Sequence, residues 1–187
     1  MLSHLFLRCN FTGRKKCAMI GKTVYEVAAM TVCRAESRHI PGIIGLLRQV
    51  GEVHHQGRPD LFRAGAQKYN ETELEAILAD DTRPIFLAEE KGKVLGYGFC
   101  ILKVTKDNPV LCDNKSLYID DLCVDESCRG QHIGSKIYAH IADYARKIGC
   151  DSITLNVWAF NESAMHFYRS LGMRARNICM EMPLEES

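Results

Sequence analysis

No stretch of about eighteen consecutive apolar residues occurs among the 187 residues, so no helix is expected to cross a membrane. Neither sign of charge prevails. Lys and Arg number 24 against 23 Asp and Glu, a net charge of +1, which gives no reason to expect nucleic acid or a membrane surface as partner. There is no internal repeat and no low-complexity tract. Nine cysteines are present, but without a pattern: none forms Cys-x-x-Cys, and none stands at zinc-finger spacing to a histidine pair, so no metal site is expected. None lies in a recognisable nucleophile signature either. Their odd count, with several in apolar runs, suits small buried hydrophobes in a reducing cytosol, and a cytoplasmic location is expected. Two nucleotide fingerprints are also missing. Arg129–Gly134 lacks the Gly-Lys-Ser/Thr ending of a P-loop, and Gly96-x-Gly98 lacks the third glycine of a dinucleotide site.

What is present has a clear order. Residues 1–30 carry Arg8, Arg14, Lys15, Lys16 and Lys22 against Glu26, with no long periodic apolar pattern. The basic residues do not precede an apolar region, so the pattern of a signal peptide is poor. With Met19 and Met30 both available as starts, this stretch reads as a disordered or upstream-extended leader, and residues 31–187 as a single domain of ordinary size. A short strand at 31–35 leads to a helix carrying Ile40, Ile43, Ile44, Leu46, Leu47 and Val50, with Ser37 as its cap and Pro41 near its first turn. A polar segment after Gly51 ends at Phe62, and a second helix is expected over 70–79. Three strands follow at 84–89, 94–104 and 116–124, the first two joined tightly through Lys91-Gly92. Then come a helix at 133–148, a strand at 152–157, a helix at 162–171 stopped by Gly172, and a last strand at 175–182. Strand 175–182 offers an edge through which homodimers could form. The order predicts a mixed α+β sheet with one parallel crossover, and a ligand by the carboxyl ends of its strands.

The stretch Tyr118–Gly134 sits at that crossover. An apolar strand with embedded carboxylates enters an Arg-Gly turn and then a helix. Backbone N–H groups at such a helix start carry partial positive charge and point outward, which makes an anion site.

Arg129-Gly-Gln-His-Ile-Gly134 and the later Asn161-Glu-Ser-Ala164-Met-His-Phe167-Tyr168-Arg-Ser-Leu171-Gly172-Met173 together resemble two motifs of the Gcn5-related N-acetyltransferase (GNAT) superfamily: its pyrophosphate loop and its Asn-x-x-Ala-x-x-Phe-Tyr-x-x-Leu-Gly-Phe signature. The resemblance spans residues 31–182 and leaves the leader outside. It implies a GNAT-type α+β fold, a mixed sheet of about six to seven strands flanked by about four helices. It also implies acetyl-CoA as co-substrate and direct acetyl transfer to a primary amine. One position departs from the pattern: His132 stands where glycine is usual.

By this resemblance the pyrophosphate is held by Arg129, Gly130, Gln131, His132, Ile133, Gly134 and Ser135. The backbone of Leu122, Cys123 and Val124 pairs with the pantetheine arm like an added strand, and Asn161 hydrogen-bonds that arm or caps its helix. Tyr168 matches the tyrosine that protonates the departing thiolate. An attacking amine with pKa near 10.4 must first lose a proton, and Asp120 and Asp121 are the candidate acceptors. Strand alternation lets only one face the substrate. Asp120 is preferred because it aligns with the acidic position that several relatives use; the alternative is that both are structural and the base lies elsewhere.

The acceptor is less legible. The segment between the first two helices usually lines the acceptor site in this superfamily, and here it holds Glu52, His54, His55, Arg58 and Asp60. Glu52 and His55 are the candidates for binding it. A small-molecule amine is favoured over a protein amine. A non-catalytic acyl-CoA-binding or sensing module of the same fold is the alternative function.

Overall fold

The computed structural model describes residues 30–184. The leader expected at 1–30 therefore lies, but for Met30, outside the described residues.

Strand β1, Thr31–Arg34, passes through a 3-10 turn at Ser37–His39 into helix α1, Ile40–Gly57. Ile40, Ile43, Leu46 and Leu47 are its buried face, the spacing an amphipathic helix needs. Ser37 does not cap α1. Its hydroxyl donates to Glu75 Oε2 at 2.8 Å, because the 3-10 turn moves the helix start to Ile40. Nor does the helix stop at Gly51. The glycine lets the backbone of Ala66 approach so closely that an added Cβ would lie 2.4 Å from the Ala66 carbonyl oxygen, and α1 continues for a further turn and a half.

Helix α2, Glu71–Leu78, opens with a capping box. Glu73 N–H donates to Asn70 Oδ1 at 2.9 Å while Asn70 N–H donates to Glu73 Oε2 at 2.7 Å, which satisfies two of the donors a helix start leaves free. Strands β2, Ile85–Glu90, and β3, Lys93–Thr105, form the expected hairpin. Lys91 and Gly92 both take positive φ, 51° and 79°, as a two-residue turn matched to strand twist requires. Strand β4, Asn114–Val124, helix α3, Ile133–Lys147, strand β5, Ser152–Leu155, and helix α4, Glu162–Ser170, complete the set.

The sheet order is β1-β2-β3-β4-β5. Neighbours are antiparallel except β4 and β5, which run parallel. Ile85, Leu87, Tyr97, Phe99 and Cys123 pack with α1 and α2 on one face. Phe86, Ala88, Leu95, Cys100, Leu117 and Ile119 pack with Ile133, Ile137 and Ile141 of α3 on the other. Gly98 permits that second layer: a Cβ there would stand 2.6 Å from Ile141 Cδ1.

The expected sixth strand is not formed. Residues 175–182 take no strand conformation, so the described residues contain five strands rather than about six to seven. Ile178, Met180 and Met182, whose alternation reads as a strand face, are 76–84% exposed, because no neighbouring strand is there to pair with them. The edge expected for dimers is thus not provided by 175–182.

Two features of β4 position the site. Its register with β3 shifts between Phe99↔Asp121 and Cys100↔Ile119, leaving Asp120 as the extra residue of a β-bulge. Its pairing with β5 ends at Ile119↔Leu155, so from Asp120 to Val124 the edge of β4 on that side has no partner among the described residues.

Candidate active site

The bulge overturns the expectation that Asp120 and Asp121 point to opposite faces. Inserting one residue cancels one step of the alternation, and both carboxylates turn towards the α1–α2 side. Asp120 Oδ2 accepts from Lys68 Nζ at 2.8 Å and from Tyr69 O–H at 3.0 Å. Asp121 Oδ2 accepts from Tyr97 O–H at 2.9 Å. The environments differ. Asp120 is an ion-paired carboxylate. Asp121 retains some residue surface, yet its carboxylate is enclosed by protein, and burial pushes its pKa up to about 6. The neighbouring Asp120 charge adds to that rise, while the Tyr97 hydrogen bond and the Lys68 charge oppose it.

Lys68, Tyr69 and Tyr97 are absent from the residues singled out above. Tyr97 was findable: it pairs with Cys123 across the strands, a diagonal neighbour of Asp121. Lys68 and Tyr69 precede the cap of α2 in an irregular segment, where no periodicity signals which way a side chain turns.

Tyr168 stands on α4 with its ring 5.1 Å from that of Phe167. Burial, then the charge of Asp121, raises its pKa well above the usual phenol range, so it is neutral and holds its proton. Its hydroxyl has no hydrogen-bond partner among the described residues. Phe167 fills space beside Gly134, where an added Cβ would lie 3.4 Å from Phe167 Cζ. Of the two consecutive aromatics, Phe167 takes the packing place beside α3. Asn161 caps α4, its Oδ1 accepting from Ala164 N–H at 3.0 Å.

The start of α3 has the form of an anion cradle. His132 takes the left-handed conformation, φ 58° and ψ 18°, in the position where glycine is usual, and Gly130 has φ 78°. Among the described residues, the N–H groups of Gly130, Gln131, His132, Ile133, Gly134 and Ser135 donate to no acceptor. Six unengaged donors at one helix start favour a phosphate. Ile133 anchors the turn as a buried side chain. Arg129 is exposed, its Nε donating to the Val124 carbonyl at 3.4 Å. Cys123 turns inward to Leu46, where burial pushes its thiol up to about 12; only its backbone faces the open edge of β4, beside Leu122 and Val124.

Of the candidate acceptor residues, Glu52 lies exposed on α1 with Gln56 Nε2 donating to it at 2.9 Å. His55 Nδ1 bonds the Phe62 carbonyl at 2.7 Å, tying the chain after α1 back to the helix. Neither contacts the carboxylate pair. His54 is half-buried; burial, and then the charge of Lys68, lowers its pKa. His54 also lies against Phe62, which meets Trp158 edge to face at 5.2 Å.

Elsewhere, Cys33, His39 and Glu89 bring their ligand atoms within 4.8 Å of one another. The buried His39 accepts from Glu36 N–H through Nδ1 at 2.9 Å. Its proton therefore sits on Nε2 and is donated to Glu89 at 3.1 Å, an arrangement that leaves no imidazole lone pair for a metal.

The Acetyltransferase (GNAT) family model matches residues 52–173. The chain belongs to that family. Thialysine N-epsilon-acetyltransferase of Bos taurus is 34% identical over 79 residues, 42% of this chain and 44% of the relative. The Mus musculus protein of the same name is 24% identical over 149 residues, 78% and 85% of the two chains. The chain thus spans less than half the length of the bovine relative. Among solved structures, a mutant of the BH1408 protein from Bacillus halodurans has a TM-score of 0.80 at 33% identity, covering 83% of this chain and 99% of that one. The fold is accordingly the acyl-CoA N-acyltransferase fold of the GNAT family. The matched region takes in both carboxylates, the α3 cradle and Tyr168.

Proposed function

We propose that this GNAT chain is an N-acetyltransferase that moves an acetyl group from acetyl-CoA directly to a primary amine in a ternary complex. The observation that carries this reading is the enclosed Asp121 carboxylate, held by Tyr97 at 2.9 Å beside the unpaired edge of β4, with a pKa of about 6, together with Tyr168, a phenol kept neutral by burial and then by the charge of Asp121. A base poised near neutrality and an acid that keeps its proton divide the two proton transfers that aminolysis of a thioester requires.

The residues fit acetyl-CoA. Its pyrophosphate suits the unengaged N–H groups of 130–135, and its pantetheine arm suits the unpaired edge of β4 at residues 122–124. Acetyl-CoA brings the activated thioester. Asp121 accepts the proton of the attacking ammonium, a backbone N–H of the 122–124 edge stabilises the carbonyl oxygen as it gains charge, and Tyr168 donates to the departing sulfur. Asp120 is preferred in the sequence reading, but its pairing with Lys68 and Tyr69 favours a role in raising the pKa of Asp121 and in drawing a cation to the site. The raised thiol pKa of Cys100 and Cys123, about 12 each, supports direct transfer over an acyl-cysteine intermediate.

The acceptor we propose is a small molecule with its amine on a lysine-length chain, in line with the substrate named for the bovine and mouse relatives. Glu52 and His55 remain proposed contacts for its distal end. Thiol release from acetyl-CoA across a panel of lysine analogues, polyamines, amino sugars and peptides tests the reading. We expect fastest release with lysine-like amines. Tight acetyl-CoA binding with no release for any amine would overturn it in favour of a sensor.

A further inference from the structure

The Lys68 ammonium ends at Asp120, next in sequence to the carboxylate proposed as the base. Its Nζ lies 2.8 Å from Asp120 Oδ2 and 3.4 Å from the Asp120 carbonyl oxygen, and 5.4 Å from the centre of the Tyr69 ring. Asp120 is the bulge residue at which β4 parts from β5, the point from which the open edge runs. The ammonium is thus held by a carboxylate, a carbonyl and an aromatic face at the start of the slot proposed for the thioester. A surface ion pair between long side chains needs none of this. The Asp120 side chain is only 17% exposed while that of Lys68 is 42% exposed, so the lysine enters from solvent and ends at the carboxylate. The charge of Lys68 also reaches Asp121, His54 and Tyr118.

We propose that Lys68 is a self-acetylation site: in the absence of an external acceptor, its ε-amine takes the acetyl group of acetyl-CoA bound to the same chain. This rests on the function proposed above. The ammonium loses one proton to Asp121, and the free amine attacks the thioester carbonyl. The N–C bond forms and the C–S bond breaks. Of the two protons the nitrogen gives up, one ends on the CoA thiol by way of Tyr168 and the other passes through the carboxylate to solvent. The product is an amide without charge, so Asp120 loses its ion-pair partner and is free to hold the cationic amine of an external acceptor. Lys68 is thereby a tethered substitute for the acceptor, and its acetylation opens the site.

The test is incubation of the full chain with acetyl-CoA and no amine, read by intact mass and peptide mapping over time. One acetyl group is expected on Lys68, acquired at least about tenfold faster than on exposed lysines such as Lys91 or Lys147, as tethering beside the reactive carbon predicts. The rate per chain should not depend on protein concentration. Lys68→Arg should abolish that acetylation and leave the background on other lysines. Asp121→Asn should reduce Lys68 acetylation to that background. Equal acetylation of Lys68 and exposed lysines, in a preparation that releases thiol with an added amine, would overturn the inference while leaving the function standing. No acetylation of Lys68 and no thiol release with any amine would overturn both.

Discussion

At the scale of single residues, one inserted amino acid sets the arrangement on which the proposed chemistry rests. Asp120 and Asp121 are adjacent, and strand alternation read from the sequence sends them apart; the bulge turns both to one side and gives them different partners. Two like charges in one site cannot both ionise freely, and Lys68 settles which does by pairing with Asp120. The acid side is simpler. Tyr168→Phe removes one hydroxyl from a ring that keeps its packing beside Phe167, so we expect kcat to fall about 100-fold or more, as for loss of a general acid. Acetyl-CoA affinity by calorimetry should be unchanged. A variant at full rate would take Tyr168 out of the mechanism.

At the scale of elements, the start of α3 shows how much a local pattern reveals. The Arg129–Gly134 stretch is legible as an anion cradle from its glycines and its place between strand and helix, and the departure at His132 is legible with it. The left-handed φ of 58° at His132 shows how the loop keeps its shape: the histidine adopts the glycine conformation rather than bending the turn. That costs a β-carbon residue about 1 kcal/mol. His132→Gly should therefore raise chain stability by up to about 1 kcal/mol and leave acetyl-CoA affinity equal or better; a marked loss of affinity would show that the imidazole contacts the ligand. The α1 boundary was less legible. Gly51 reads as a stop, but the space its missing Cβ leaves is filled by the Ala66 backbone, a contact that only the folded chain contains. The strand expected at 175–182 failed for a related reason. Alternation specifies which residues share a face and does not supply a partner strand.

At the scale of the whole molecule, the order of elements and the two motifs made the α+β sheet and its crossover readable. The surroundings of Asp120 were not, because Lys68 and Tyr69 reach β4 from a segment about fifty residues away in sequence. The enclosed Asp121 also bears on global stability. Its pKa in the folded chain, about 6, lies above the value of about 3.9 for a free aspartate. The folded state therefore binds its proton more tightly, and this contribution is complete below about pH 4 and lost as pH rises through about 6. At pH 7 and above Asp121 costs the fold up to about 3 kcal/mol. Asp121→Asn keeps an acceptor for Tyr97 without the charge. Thermal melts at pH 7.5 should show the variant several degrees more stable than the parent, with the gap closing towards pH 4; a variant less stable at pH 7.5 would contradict the burial of this charge.

The same substitution tests the account at its centre. Thiol release from acetyl-CoA, measured with a lysine-like amine from pH 5 to 8 for the parent chain and for Asp121→Asn, should give a kcat/KM that rises through about pH 6 in the parent. In the variant it should fall by about 100-fold or more and lose that limb. An Asp121→Asn chain that turns over at the parent rate with the parent pH profile would contradict the assignment of Asp121 as the base.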